Sequence, residues 1–445
     1  MKAIPFLALL AGACGGGGGG GGPDGAPSDA ATHGPVSVTV WASGSPAVDV
    51  PVMVHDPDGA FVRTVITDAG GVAAIDDFPD GGAVTAPVDA YGRPVTGYLT
   101  TLAGARIGDS LTIGKTPFGR STQSAGTLEV DFGGTLADAA QYQARAGCNE
   151  GAVVAAGDPV LLSLRQVCVV DGSVDVVGYA VDAGGARIGY ASATEIGIAS
   201  PGAPLPDWQT DLATWPLSAA SAPGAMGVEG FYQGFRRGIP VDEAADPGGD
   251  IAAAGSQAFD WRFAPGFFDE STVGIHARYG DGTVDRAAIA TWAQRGATGE
   301  QSIDLAADLM PEVTEVQVAA GGRLGISYAA AGAMTCPQGG DADAAIWAVV
   351  GTSPPDVTTT WLILSPGDLA SGATLPELDP DRADLWPAAT FTDSDAGVLW
   401  IADSAAGYDD IRTSEANLAV AQYGPEAAGT RCMLRSGRFG ASARP

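Results

Sequence analysis

A chain of 445 residues is long enough for roughly three or four domains. The apolar fraction of 46% supplies real cores, and Gly 65 with Pro 30 favours short strands and turns over long helices. The net charge of −30, with lysine only at Lys2 and Lys115, repels phosphate backbones and excludes nucleic acid as an expected partner.

Residues 1–13 read as an export signal: Lys2 gives the positive start, and Ile4 to Leu10 is an apolar run too short to span a bilayer. The next residues, Ala11-Gly12-Ala13-Cys14, resemble the bacterial lipobox, with Ala11 where leucine is commonest. The resemblance implies cleavage before Cys14 and lipidation of its thiol, so that acyl chains hold the protein to a membrane at about 0.8 kcal/mol per buried methylene. Gly15, not aspartate, follows the cysteine. By analogy with enteric bacteria this implies the outer membrane or cell surface. Residues 14–35, with Gly15 to Gly22 at their start, form a tether reaching roughly 25 Å.

Alternation begins at Val36, with Val36, Val38 and Val40 on one side and Ser37, Thr39 and Trp41 on the other. Val50 to Val54, Phe61 to Thr67 and Val72 to Ile75 follow as strands, separated by the turns Asp56-Pro57-Asp58-Gly59 and Asp68-Ala69-Gly70-Gly71. Val48 to Val72, with its Pro-Val-x-Val strand, Asp-Gly turn and Thr67-Asp68-Ala69-Gly70, resembles the carboxypeptidase regulatory-like family. That resemblance implies a transthyretin-like sandwich of seven or eight strands over residues 36–117, with no catalytic residues of its own.

Further on, Gly97-Tyr98 and Gly104-Ala105-Arg106-Ile107-Gly108 recur 81 residues later as Gly178-Tyr179 and Gly185-Ala186-Arg187-Ile188-Gly189. This spacing suits consecutive small sandwiches. Val160 to Val170 and Ser173 to Tyr179 read as strands, and Pro201 to Pro206 as a linker. Trp261 to Phe263, Gly274 to Arg278 and Thr283 to Thr291 read as strands joined at Asp281-Gly282, although Ala288 to Gln294 also admits a short helix, and Ile346 to Val350 and Thr359 to Leu364 are strands again. The expected fold class is all-β, as tandem Ig-like or transthyretin-like antiparallel sandwiches. The expected divisions are 36–117, 118–202, 203–312 and 313–435, with a tail at 436–445.

The cysteines other than Cys14 are Cys148, Cys168, Cys336 and Cys432, an even number that suggests two disulfides in an exported protein. Of the three pairings, Cys148–Cys168 with Cys336–Cys432 keeps each bridge within one domain. With no Cys-x-x-Cys spacing and histidine only at His33, His55 and His276, no metal is expected. Gly108-Asp109-Ser110-Leu111 resembles the Gly-Asp-Ser-Leu esterase signature. That chemistry needs a histidine three residues after an aspartate, whereas His276 follows Val273 by three, so the segment reads as a turn. Ile113-Gly114-Lys115-Thr116 lacks the glycine spacing of a phosphate-binding loop. The pairs Asp56/Asp58, Asp341/Asp343 and Asp393/Asp395 read as solvated turns that lack the twelfth-position glutamate of a calcium loop. Tryptophans such as Trp41, Trp208, Trp215, Trp261, Trp347 and Trp386 read chiefly as core plugs. Arg236-Arg237 beside Phe235 reads as surface. No catalytic residue and no cofactor are expected. The function anticipated is a non-enzymatic envelope lipoprotein of structural or adhesive role, with a membrane and a surface protein or polysaccharide as partners. The alternative is a carbohydrate-binding or carbohydrate-active surface protein.

Overall fold

The computed structural model describes residues 32–42, 44–88, 97–115, 124–147, 153–155, 158–200, 202–279, 289–296, 299–319, 325–330, 335–336, 340–354, 357–367, 372–387, 393–403, 407–414 and 429–437. The fold is all-β and of sandwich type. The first sandwich holds β1 (His33–Ala42), the short β2 (Ser45–Pro46), β3 (Pro51–His55), β4 (Phe61–Ile66), β5 (Val72–Pro79), β6 (Ala83–Ala86), β7 (Tyr98–Leu102) and β8 (Ser110–Ile113). The second holds β9 (Ser124–Asp131), β10 (Gln141–Ala146), β11 (Val153–Val154), β12 (Val160–Arg165), β13 (Ser173–Val181), β14 (Arg187–Gly197) and β15 (Ala203–Pro204). The third holds β16 (Ala213–Ala220), β17 (Met226–Arg236), β18 (Ile239–Ile251), β19 (Gln257–Phe263), β20 (Glu270–Tyr279), β21 (Ile289–Arg295) and β22 (Gln301–Asp304). The fourth holds β23 (Val313–Ala319), β24 (Gly325–Ala330), β25 (Thr335–Cys336), β26 (Gly340–Asp341), β27 (Ala344–Ser353), β28 (Val357–Pro366), β29 (Gly372–Thr374), β30 (Asp393–Asp403) and β31 (Gly429–Gly437), with one short helix, α1 (Tyr408–Thr413).

One topology recurs. In each of the first three sandwiches the opening strand pairs antiparallel with the fourth main strand and parallel with the last: β1 with β5 and β8, β9 with β12 and β15, β16 with β19 and β22. The other four strands make the facing sheet in one order, β4-β3-β6-β7, β11-β10-β13-β14 and β18-β17-β20-β21. The fourth sandwich keeps that order as β28-β27-β30-β31, and β23 runs antiparallel beside β24 where the others carry a closing parallel strand. The opening strands of the first three begin at residues 33, 124 and 213, intervals of 91 and 89. The structural repeat is therefore about ten residues longer than the 81-residue sequence echo. The echo joins unlike places: Gly104 to Gly108 lies between β7 and β8, whereas Gly185 to Gly189 lies at the β13–β14 hairpin.

The four-stranded sheets of the first, third and fourth sandwiches are hydrogen-bonded into one twelve-stranded sheet, β18-β17-β20-β21-β31-β30-β27-β28-β7-β6-β3-β4. The fourth sandwich is its bridge. β31 pairs antiparallel with β21, from Ile289↔Arg435 to Arg295↔Gly429, and β28 pairs parallel with β7, from Thr360↔Tyr98 to Leu364↔Leu102. The segments expected as separate sandwiches thus share backbone hydrogen bonds. β27 explains how. Its run Ala344 to Val349 is buried throughout. Ala344, Ile346 and Ala348 face the core of the first sandwich, and Ala345, Trp347 and Val349 face a core shared with the third. A strand buried on both faces reads as an unbroken apolar run, as this one does.

Two local expectations change. Ala203-Pro204 is the closing strand of the second sandwich, parallel to β9, with Ala203 and Leu205 buried. A two-residue strand of Ala and Pro carries no alternation by which to recognise it. The stretch after Ala288 is β21, central in the large sheet, because both edges of a strand there are satisfied by β20 and β31.

Candidate functional site

The Gly-Asp-Ser segment leaves a turn at Gly108 and enters β8 at Ser110. Gly108 takes φ +92, a left-handed conformation that favours glycine. The Asp109 carboxylate accepts from the Arg106 backbone N–H at 2.6 Å and pairs with Arg412 of α1. The Ser110 hydroxyl is the acceptor for Ser37 Oγ at 3.2 Å. His276 lies in β20, with Nδ1 2.8 Å from Thr291 Oγ1 and its ring stacked on Phe231 at 4.6 Å. Burial lowers its pKa, and Glu229 opposes that shift. His55 is buried, with Nε2 2.9 Å from Thr85 Oγ1. Lys115 lies 4.9 Å over the Trp41 ring. Asp56 Oδ1 accepts from the Ala60 N–H at 2.7 Å, a turn bond. The side chains of Asp393 and Asp395 lie outside the described residues. Among the described residues no cluster of metal-ligating side chains occurs.

Cys14 and Cys148 lie outside the described residues. Cys168 and Cys432 are buried, and Cys336 ends β25. Six tryptophans are core residues: Trp261, Trp292, Trp347, Trp361, Trp386 and Trp400. Trp361 also donates its indole N–H to Thr101 Oγ1 at 2.8 Å, across the seam between β28 and β7. Thr101 is 2.7 Å from Thr85 Oγ1, which completes a buried polar ladder from His55 to Trp361.

The densest charge chemistry sits where the second and third sandwiches meet. Asp242 of β18 is buried, and Arg187 at the start of β14 grips it bidentately, with Nη1 to Oδ2 at 2.7 Å and Nη2 to Oδ1 at 2.8 Å. The Tyr179 hydroxyl donates to Asp242 Oδ2 at 2.8 Å, and the Arg187 guanidinium lies 3.8 Å over the Tyr179 ring. Arg145 Nε stands 3.5 Å from Asp242 Oδ1. Burial raises the Tyr179 pKa well above its ordinary value, and Asp242 pushes the same way. Burial, the largest single influence, opposes the Arg187 charge, but Asp242 together with Tyr179 and Tyr232 outweighs it and the pKa rises. A second pair joins the same sandwiches: Arg237 Nε donates to Asp175 Oδ2 at 2.7 Å and Nη1 to Ser173 Oγ at 3.0 Å. Arg236 pairs with Asp269 at 3.1 Å. The Arg236-Arg237 dipeptide is thus committed to ion pairs rather than free surface. A lone sequence cannot reveal partners some 62 positions away.

Beside this junction the third sandwich holds an open cavity of about 360 Å³. It is lined by the aromatic residues Trp215, Phe263 and Phe268 together with the polar residues Asp269, Glu270 and Ser271. Phe263 stacks on Tyr232 at 5.6 Å, and Phe268 meets Phe267 edge-on at 5.1 Å. Phe267 packs into the junction with Tyr179, Val181 and Val241, and the lining residue Phe268 is its neighbour in the chain.

No family model matches the sequence, and no curated protein matches it. A solved structure of the Bacillus anthracis TIE protein is similar over 61% of this chain and 50% of that one, at 11% identity and a TM-score of 0.15. The chain therefore spans about half the length of that protein, and the likeness is too slight to carry an argument.

Proposed function

We propose that this protein is a non-enzymatic lipoprotein of the bacterial cell envelope that holds a rigid display surface at the end of a glycine-rich tether. The observation that carries the reading is the twelve-stranded sheet, in which three sandwiches share backbone pairing and two cores. Such a body transmits force and presents fixed surfaces, which suits structure or adhesion. Cys14 is the proposed anchor. In Cys14→Ser the fatty-acid label is lost and the protein leaves the membrane fraction; full retention with the signal removed overturns the anchor.

The bridges Cys148–Cys168 and Cys336–Cys432 belong to the same reading. Support comes from the burial of Cys168 and Cys432. The chain at Gly147 also lies against Cys168, close enough that a Cβ there would stand 2.9 Å from the Cys168 Cβ. The entropic model gives about 3 kcal/mol for a short loop and over 4 kcal/mol for one near 100 residues. Peptide mapping without reductant recovers these two linked pairs; any other pairing refutes the assignment.

A further inference from the structure

We infer that the cavity of the third sandwich is a binding site for a neutral saccharide unit. The inference deepens the adhesive reading, because it names what the displayed surface holds. At about 360 Å³ the cavity lies in the lower part of the usual ligand range of about 300–1,000 Å³. Its chemistry is divided as a sugar ring is divided. Trp215, Phe263 and Phe268 present aromatic surface, the partner of the polarised C–H face of a pyranose. Asp269, Glu270 and Ser271 present oxygen acceptors, the partners of its hydroxyl edge.

Charge selects among ligands. Asp269 already receives Arg236 Nη1 at 3.1 Å and the Arg237 backbone N–H at 2.7 Å. Glu270 receives Arg295 Nη2 at 2.8 Å. Each carboxylate keeps lone pairs for a hydroxyl proton, since a carboxylate offers about four acceptor sites. Their negative charge, however, is matched by guanidinium, so these acceptors do not demand a cation. An anionic sugar is disfavoured by the net charge of −30. Two buried polar atoms in or behind the aromatic wall hold no hydrogen-bond partner in the protein, Trp215 Nε1 and the Tyr232 hydroxyl. Neither atom is accessible from the open cavity, so recognition there falls to the ring faces and to the carboxylate and hydroxyl acceptors.

The wall is held in place from behind. Phe268 is backed by Phe267, which the junction clamps, and a Cβ at Gly234 would stand 2.6 Å from both the Phe268 ring and the Tyr232 oxygen. The ring can lie where it does because position 234 has no side chain.

The test uses the full chain and a panel of neutral mono- to tetrasaccharides, followed by calorimetry and by quenching of tryptophan fluorescence. At least one neutral saccharide binds. Trp215→Ala and Phe268→Ala each weaken it at least tenfold while the far-ultraviolet dichroism stays native. Trp215→Phe, which keeps a ring and removes the N–H, weakens it less than Trp215→Ala does. No binding by any member of the panel at millimolar concentration overturns the inference. So does binding that Trp215→Ala leaves unchanged, or preferential binding of choline over every sugar. Cys14→Ser answers the anchor separately, so the two readings fail independently.

Discussion

Asp242 shows what a single side chain does here. A carboxylate taken fully out of water is stable only when matched, and here Arg187, Arg145 and Tyr179 match it from the neighbouring sandwich. Removing one partner strands the others. Asp242→Asn leaves Arg187 buried without its counter-charge, and we expect a loss of about 3–5 kcal/mol in denaturant unfolding. A loss under about 1 kcal/mol would mean that water or Glu243 takes over the role. His276 gives the residue-scale pH response. Its folded pKa lies below the ordinary 6.5 because burial disfavours the charged ring. The unfolded state therefore binds the extra proton, and stability rises with pH. The contribution is complete above about 6.5 and is lost as pH falls through the depressed folded value. His276→Gln should flatten this part of the plot of melting temperature against pH. Parallel plots for the two proteins would reject the assignment.

At the scale of strands, alternation identifies β1 directly, since one face meets a core, whereas β3 and β13 are buried on both faces and read as apolar runs. What alternation does not report is which strand lies next to which. β7 and β28 pair across two sandwiches with the same residue types that pair within one, so the seam left no mark in the sequence. The Gly-Ala-Arg-Ile-Gly echo forms a hairpin only in its second copy, and its arginines have different fates. Arg187 is locked to Asp242, whereas Arg106 is largely exposed, 3.4 Å from Asp409. The aromatic cavity was equally hidden. Trp215, Phe263 and Phe268 come from β16, the end of β19 and the loop that follows, and no local spacing announces their meeting.

At the scale of the molecule, the four-sandwich plan was legible as an all-β repeat, and its assembly was not. The last segment completes the sheet that the first and third begin. This has a direct test. A chain ending at residue 312 loses β27, β28, β30 and β31, which uncovers the edges of β7 and β21 and the apolar face around Leu99 and Trp292. Exposed strand edges and apolar faces invite association. We expect residues 36–312 to aggregate or to melt without a cooperative transition in calorimetry. A soluble monomer with a sharp melt would show that the sandwiches stand alone.

The bridge also sets a clock. The Trp361 to Thr101 bond spans 260 positions, so a chain made or exported from its amino end must wait for its final quarter before that seam can close. Until then β7 and β21 are open templates, each able to recruit a strand from a neighbouring nascent chain. Long-range pairings of this kind fold slowly, because loop-closure entropy is spent before the contacts return anything. The arrangement that makes the finished body stiff therefore makes its unfinished form hazardous.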